Sequence, residues 1–139
     1  IGTYDPTPLL AVPTAIAFLK SLYPEGLDQL YQRNHEAVVK ARQVICNTLQ
    51  TEFPCSNEML GSMASVPLNA PRSTEHEQST ATLQQTLYQE HCLELPVFQL
   101  PDSGQWCLRI SMQVYNEACQ IDRLASALRR ITERTTHHK

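Results

Sequence analysis

The clearest pattern in the chain is an alternation of apolar and polar side chains near its carboxyl end. From residue 108 to residue 115 the order is Leu-Arg-Ile-Ser-Met-Gln-Val-Tyr. A period of two predicts a β-strand with one face in a core, which places Arg109 on the opposite face. A solvated or salt-bridged arginine is the simplest interpretation. A guanidinium held on a rigid strand can also bind a carboxylate through two parallel hydrogen bonds.

A second pattern, with helical spacing, predicts one long helix in the first half of the chain. Apolar side chains recur at Leu30, Tyr31, Val38, Ile45, Leu49 and Phe53. We expect this helix over roughly residues 25–51, about 40 Å at ~1.5 Å per residue. Before it, Asp5 and Pro6 favour a helix start and Pro13 an interruption. This predicts a short helical turn over residues 6–12 and a new helix from Pro13 to about Leu22.

The remaining segments predict a small sheet. Strands are expected over residues 62–68, 93–100 and 108–116, and helices over residues 80–91 and from the N-cap residue Asn116 onward. A turn signal over residues 101–104, Pro-Asp-Ser-Gly, joins the last two strands into an antiparallel hairpin. The predicted fold class is α+β: a small antiparallel sheet of about three strands covered by helices, with a long N-terminal connecting helix.

This layout divides the chain into three parts. Residues 25–52 form the connecting helix and residues 53–139 a small C-terminal α+β domain, whereas residues 1–24 are expected to belong to another body. The sequence starts with Ile-Gly-Thr and without methionine, which we interpret as the start of a piece of a larger protein.

Composition and charge argue against several functional classes. The net charge is -3 and the basic residues are dispersed, so we expect no nucleic-acid partner. No apolar run is long enough to span a membrane. The five cysteines are irregularly spaced without a Cys-x-x-Cys pair, which disfavours a zinc site or a disulfide framework. Reduced thiols, a cytoplasmic location and no metal site are expected.

Local signatures of catalysis do not occur in the sequence, which has no nucleophile elbow, zinc-protease helix, P-loop or dinucleotide fingerprint. His91 and Cys92 are adjacent, but neighbours on a strand point to opposite faces. A helix end that leads into a strand is the better interpretation of this pair. At the amino end, Gly2 lets the backbone approach a ligand, and Thr3 offers a hydroxyl and a backbone N–H that can bind phosphate.

Two segments carry a family resemblance. They are residues 2–13, Gly-Thr-Tyr-Asp-Pro-Thr-Pro-Leu-Leu-Ala-Val-Pro, and residues 108–116, Leu-Arg-Ile-Ser-Met-Gln-Val-Tyr-Asn. In this order the two resemble the C-terminal part of class V aminotransferase-type enzymes, which are fold type I proteins that use pyridoxal phosphate. The subgroup that they resemble most is the isopenicillin N epimerase-like proteins. The resemblance extends over nearly the whole chain.

This resemblance implies a domain layout and site residues. In the family a long helix joins a small C-terminal α+β domain to a large cofactor-binding domain, so residues 1–24 would be the tail end of the large domain. The family's arginine on the last strand binds the substrate α-carboxylate, which assigns that role to Arg109. The family's Gly-Thr pair contributes to binding the cofactor phosphate, which assigns Gly2 and Thr3 to cofactor binding. The implied protein is a homodimer that uses pyridoxal 5'-phosphate and acts on an amino acid.

The lysine that holds the cofactor in this family lies upstream and has no counterpart here. Lys20, Lys40 and Lys139 do not lie in the family's lysine context. We therefore expect no catalytic residue in this chain and no activity of the chain alone, because the chemistry of the cofactor needs that lysine. The parent protein is expected to be an enzyme of the epimerase, aminotransferase or lyase type.

Three functions remain open. The first is an isopenicillin N epimerase-like isomerase or transferase. The second is a cysteine desulfurase or lyase of the same family. The desulfurases carry a His-Cys-Ala segment shortly before the arginine strand, whereas residues 97–105 contain no cysteine. The third is a free-standing, non-catalytic α+β binding module, which would need no cofactor and in which Arg109 would bind an anion or nothing.

Overall fold

The computed structural model describes residues 5–69 and 79–136, with backbone alone for residues 134–136. Within these residues the chain forms helices, strands and one short 3-10 turn at Asn57–Met59. The helices are α1 (Thr7–Ser21), α2 (Leu27–Leu49), α3 (Thr80–His91) and α4 (Ala118–Thr136), and the strands are β1 (Met63–Pro67), β2 (Val97–Gln99) and β3 (Trp106–Ser111).

The three strands form one antiparallel sheet in the order β1-β3-β2. In the register Ala64 lies opposite Ile110 and Val66 opposite Leu108, and all four side chains are buried. Strand β2 pairs with the edge of β3 that faces away from β1. The predicted hairpin connects the two strands, and in it Gly104 has a positive φ of 67°. The predicted α+β class, with its antiparallel sheet of three strands and its long helix, is confirmed.

Helices α2 and α4 cover one face of the sheet. Their apolar stripes, which include Val38 and Ile45 of α2 and Leu124 and Leu128 of α4, share one core with the buried strand residues. Helix α3 adds Leu87 to the same core. Burying each such side chain contributes roughly 1.5–3 kcal/mol, so this core holds the strands in register. The opposite face of the sheet, which we call the open face, carries Arg109.

The predicted helices α2, α3 and α4 are present, although α2 spans 23 residues and is shorter than the expected segment 25–51, whereas the prediction for the amino end is wrong. Pro13 does not interrupt α1, which is continuous and buries none of its residues. A proline inside a helix removes one hydrogen bond, and on an exposed helix the freed carbonyl of Leu9 can be solvated. Tyr31 and Phe53, expected on the apolar stripe, are 61% and 51% exposed.

The strands are shorter than the alternation predicts. Strand β3 ends at Ser111 instead of residue 116, and β2 covers only three residues of the expected segment 93–100. The Met112 N–H makes the last ladder bond, to the Ser62 carbonyl oxygen at 2.8 Å. The chain then turns, so that Val114 is 40% exposed although the alternation places it on the core face.

Candidate functional site

Arg109 lies within β3 with its side chain on the open face. Leu108 and Ile110, its neighbours in the chain, are buried, whereas Arg109 is exposed. The Arg109 N–H donates to the Pro96 carbonyl oxygen at 3.0 Å, and β1 pairs with β3 on the other side. The expected orientation of this arginine is therefore confirmed, and its guanidinium extends from a backbone that is held on both sides.

Ser65 of β1 lies directly opposite Arg109. The Leu68 N–H donates to the Trp106 carbonyl oxygen at 2.8 Å, three positions along the same ladder. Hydrogen-bonded and non-hydrogen-bonded pairs alternate in an antiparallel ladder, so Ser65 and Arg109 form a non-hydrogen-bonded pair. This is the closer kind, with Cα atoms about 4.5 Å apart. The two side chains therefore rise side by side.

No carboxylate stands at the paired positions of the open face. The other side chains there are Met63, Pro67, Phe98, Cys107 and Ser111. In the part of the chain that the structure describes, the Arg109 guanidinium has no hydrogen-bond acceptor or ion-pair partner. A cation without a partner on a rigid strand can bind a carboxylate through two parallel hydrogen bonds.

The open face also holds a thiol beside this cation. Cys107 lies two residues before Arg109 on the same side of β3 and is buried. Burial raises the pKa of the Cys107 thiol, because the thiolate is poorly solvated there. The thiol is therefore kept in its neutral form, which suits packing better than nucleophilic attack.

The other residues assigned by resemblance are not brought to Arg109. Gly2 and Thr3 lie outside the described residues, and so does Lys139. Lys20 is exposed on α1, and Lys40 is exposed on α2, the helix that covers the other face of the sheet. None of the described lysines therefore shares the open face with Arg109.

The chain that follows β3 is fixed to α2. Asn34 Nδ2 donates to Gln113 Oε1 at 3.0 Å, and the Gln113 N–H donates to Asn116 Oδ1 at 2.9 Å. Because Asn116 uses its side-chain oxygen in this turn, it does not make the expected cap of α4. The Glu117 N–H donates instead to Gln120 Oε1 at 3.0 Å. This network determines where β3 ends and how α4 begins.

A cleft of about 410 Å³ lies between α2 and the start of α4. Its lining includes the basic side chains of Arg33 and Lys40 and the acidic side chains of Glu36 and Asp122. Arg109 is not part of this lining. The mixed charge of the cleft favours no ligand class, so the open face remains the better candidate site.

His91 and Cys92 do not form a catalytic pair. His91 ends α3, and Cys92 follows it in the left-handed region with φ of 53°. The interpretation of this pair as a helix end is confirmed. Arg123 of α4 donates from Nη2 to the His91 carbonyl oxygen at 3.1 Å. It thereby ties α4 to the end of α3.

Arg42 is a buried cation that the sequence pattern did not single out. It is 1% exposed and donates from Nη1 to the Cys55 carbonyl oxygen at 2.9 Å and from Nη2 to Asn57 Oδ1. The ring centroid of Phe53 lies 5.0 Å from its guanidinium carbon. Arg42 therefore holds the segment after α2 against that helix. Arg42 lies four residues after Val38, so helical spacing places it on the buried stripe. That spacing is the sequence feature from which its burial could have been predicted.

Residues 5–69 and 79–136 contain no group of His, Cys, Asp and Glu side chains that could hold a metal ion. None of their helices is both long and apolar enough to cross a membrane.

Comparison with curated proteins gives relatives that align along most of the chain. It is 31% identical over 134 residues to the Arabidopsis thaliana protein named "Probable L-cysteine desulfhydrase, chloroplastic", with 92% of this chain and 28% of the relative covered. It is 31% identical over 134 residues to the isopenicillin N epimerase of Amycolatopsis lactamdurans, with 95% and 31% covered. The L-cysteine desulfhydrase of Arabidopsis thaliana is 26% identical, with 92% and 31% covered.

The chain spans less than a third of the length of each of these relatives. No family model matches it. The names of the relatives agree with the resemblance that residues 2–13 and 108–116 carry, since both the epimerase and the cysteine-processing branches are present.

Proposed function

Because this chain belongs to the class V aminotransferase-type enzymes, which use pyridoxal phosphate, we propose that it supplies the substrate-carboxylate site of an enzyme acting on an amino acid. The observation that carries the proposal is the Arg109 guanidinium, which is exposed on the open face without an acceptor among the described residues. An α-carboxylate is common to all amino acids and matches this cation in charge and geometry.

In this proposal Arg109 orients the substrate. Two parallel hydrogen bonds fix both the position and the plane of the carboxylate, whereas a lysine ammonium would fix neither. Pyridoxal phosphate, when bound, acts as an electron sink for the α-carbon of the amino acid. The described residues fit the substrate half of such a site, and Gly2 and Thr3 are proposed to hold the cofactor phosphate. The lysine and the other cofactor contacts would come from a part of the enzyme outside this chain.

The domain layout is part of the proposal. We assign residues 1–24 to the tail end of a large cofactor-binding domain, residues 25–52 to the connecting helix and residues 53–139 to the small C-terminal domain. Helix α1 supports this assignment, because it exposes Leu9, Leu10 and Phe18 and buries no residue against the rest of the described chain. We also propose a homodimer. The five cysteines, all free, favour a reducing compartment such as the cytoplasm.

Breakdown of L-cysteine is the second candidate reaction beside epimerisation. The specific observation in its favour is that the two Arabidopsis thaliana relatives are named L-cysteine desulfhydrases. Sulfide release from L-cysteine and inversion at the α-carbon of a substrate amino acid distinguish the two reactions in one preparation of the full-length holoenzyme. Both reactions need the carboxylate held, so the proposed role of Arg109 is the same for either.

Substitution of Arg109 tests the role of the site. In the full-length holoenzyme we expect Arg109→Ala to raise KM for the amino acid about 100-fold, as for a lost charged hydrogen-bonding partner. KM of Arg109→Lys should lie between those of Arg109→Ala and the wild type, because lysine keeps the positive charge but cannot form two parallel hydrogen bonds with the carboxylate. Arg129→Ala, an exposed arginine of α4, is the matched control. An unchanged KM in Arg109→Ala would remove Arg109 from the site.

A further inference from the structure

The open face holds a second hydrogen-bond donor beside Arg109. Ser65 lies directly opposite it in the closer kind of antiparallel pair. Ser65 is half-buried, and its hydroxyl has no hydrogen-bond partner among the residues that the structure describes. We propose that Ser65 is a second binding residue for the substrate carboxylate and donates its hydroxyl hydrogen to one of the two oxygens that Arg109 holds. This inference rests on the proposed function of Arg109.

The chemistry of a carboxylate calls for such a partner. Its two oxygens offer about four acceptor positions, and a bidentate guanidinium occupies two of them. When a substrate covers the sheet and excludes water, the remaining positions lose their hydration unless the protein supplies donors. A serine hydroxyl can rotate to follow the carboxylate, so it supplies one donor without a fixed geometry.

The positions next to Arg109 on the neighbouring strands, other than Ser65, cannot serve in this way. Pro96, which accepts the Arg109 N–H on the β2 side, has no donor group. On the β1 side the diagonal positions are Met63 and Pro67, which also lack side-chain donors. Ser65 is therefore the hydroxyl in the same row as Arg109. Ser111 lies one row further along β3, opposite Met63, and provides a matched control.

The test measures binding of L-cysteine to the full-length holoenzyme through the change in absorbance of its pyridoxal phosphate. We expect Ser65→Ala to raise Kd for L-cysteine about tenfold, and Ser65→Thr, which keeps the hydroxyl, to restore it to within about threefold of the wild type. Kd for cysteamine, which is cysteine without its carboxylate, should be equal in all variants. A loss of local packing would weaken the binding of both ligands. The ratio of the two Kd values therefore separates an effect on carboxylate binding from a structural effect.

A double-substitution cycle distinguishes failure of this inference from failure of the proposed function. If Ser65 and Arg109 hold one carboxylate, the tenfold effect of Ser65→Ala disappears in the Arg109→Ala background. An effect in Arg109→Ala with none in Ser65→Ala, or an equal effect in Ser111→Ala, overturns the role of Ser65 alone. No effect of Arg109→Ala on Kd contradicts the proposed function itself.

Discussion

Arg42 and Arg109 show how strongly the surroundings of an arginine side chain determine its role. Arg42 is buried and donates from its two Nη atoms to Cys55 and Asn57, so it stabilises the local structure. Arg109 is exposed on the open face and has no acceptor in the described part of the chain. A guanidinium stays charged in both places, and only the second can exchange water for a ligand.

The thiols of Cys46 and Cys107 lead to a prediction about stability at high pH. Burial raises the pKa of both thiols; for Cys46 the Thr51 side chain and the positive charge of Arg42 oppose this effect. Above the ordinary thiol pKa of about 8.5, the unfolded chain loses these protons while the folded chain keeps them. The free energy of unfolding should therefore fall as pH rises above that value, by at most about 1.4 kcal/mol per pH unit for each thiol.

Urea unfolding of the chain in reducing buffer at neutral and alkaline pH measures this decline. The variant with both Cys46→Ala and Cys107→Ala should show a flatter dependence on pH, because the two titrating groups are gone. Cys119→Ser, which changes an exposed thiol, should keep the wild-type dependence. If the double variant and the wild type decline in parallel, the buried thiols are not the cause.

At the scale of elements, the end of β3 shows what the sequence pattern could predict. Alternation correctly placed Leu108, Arg109 and Ile110, because all three pair with β1 and one face of the sheet is buried. It failed beyond Met112, which is still buried, because the Gln113 side chain and Asn116 form a turn that depends on α2. A contact between residues 79 positions apart in the chain leaves no local pattern.

The bond between Asn34 and Gln113 gives a prediction for these elements. Asn34→Ala should destabilise the chain by about 1–2 kcal/mol, because the Gln113 side chain loses a donor in a half-buried site. The effect should be local: amide hydrogen exchange should speed up over residues 113–120 more than in β1. Exchange followed by mass spectrometry measures it. Gln32→Ala, which removes an exposed bond to Glu36 on the same helix, is the control and should change little.

At the scale of the whole molecule, helix α1 stands apart from the core. Leu10 is 73% exposed and Phe18 62% exposed, and none of the α1 residues is buried. Large contiguous apolar surfaces in water mark interaction sites. The sequence predicted helical structure here but wrongly interrupted it at Pro13. A pattern in one segment also cannot show what the helix packs against. The family assignment supplies that answer as a proposal, namely the large domain of the same enzyme.

Removal of residues 1–21 tests how independent the two parts are. Because α1 contributes no buried residue, the shortened chain should keep its α+β core and change its free energy of unfolding by less than about 1 kcal/mol.

The intact chain should associate in solution through α1, since the removal of the Leu10 and Phe18 side chains from water is favourable. Sedimentation should show smaller species both for the shortened chain and for the variant with Leu10→Ser and Phe18→Ser. Lys20→Ala, an exposed polar change on the same helix, should associate like the intact chain. A large loss of stability on removal of residues 1–21 would instead mean that α1 is part of the folded core, and the boundary near residue 24 would have to be abandoned.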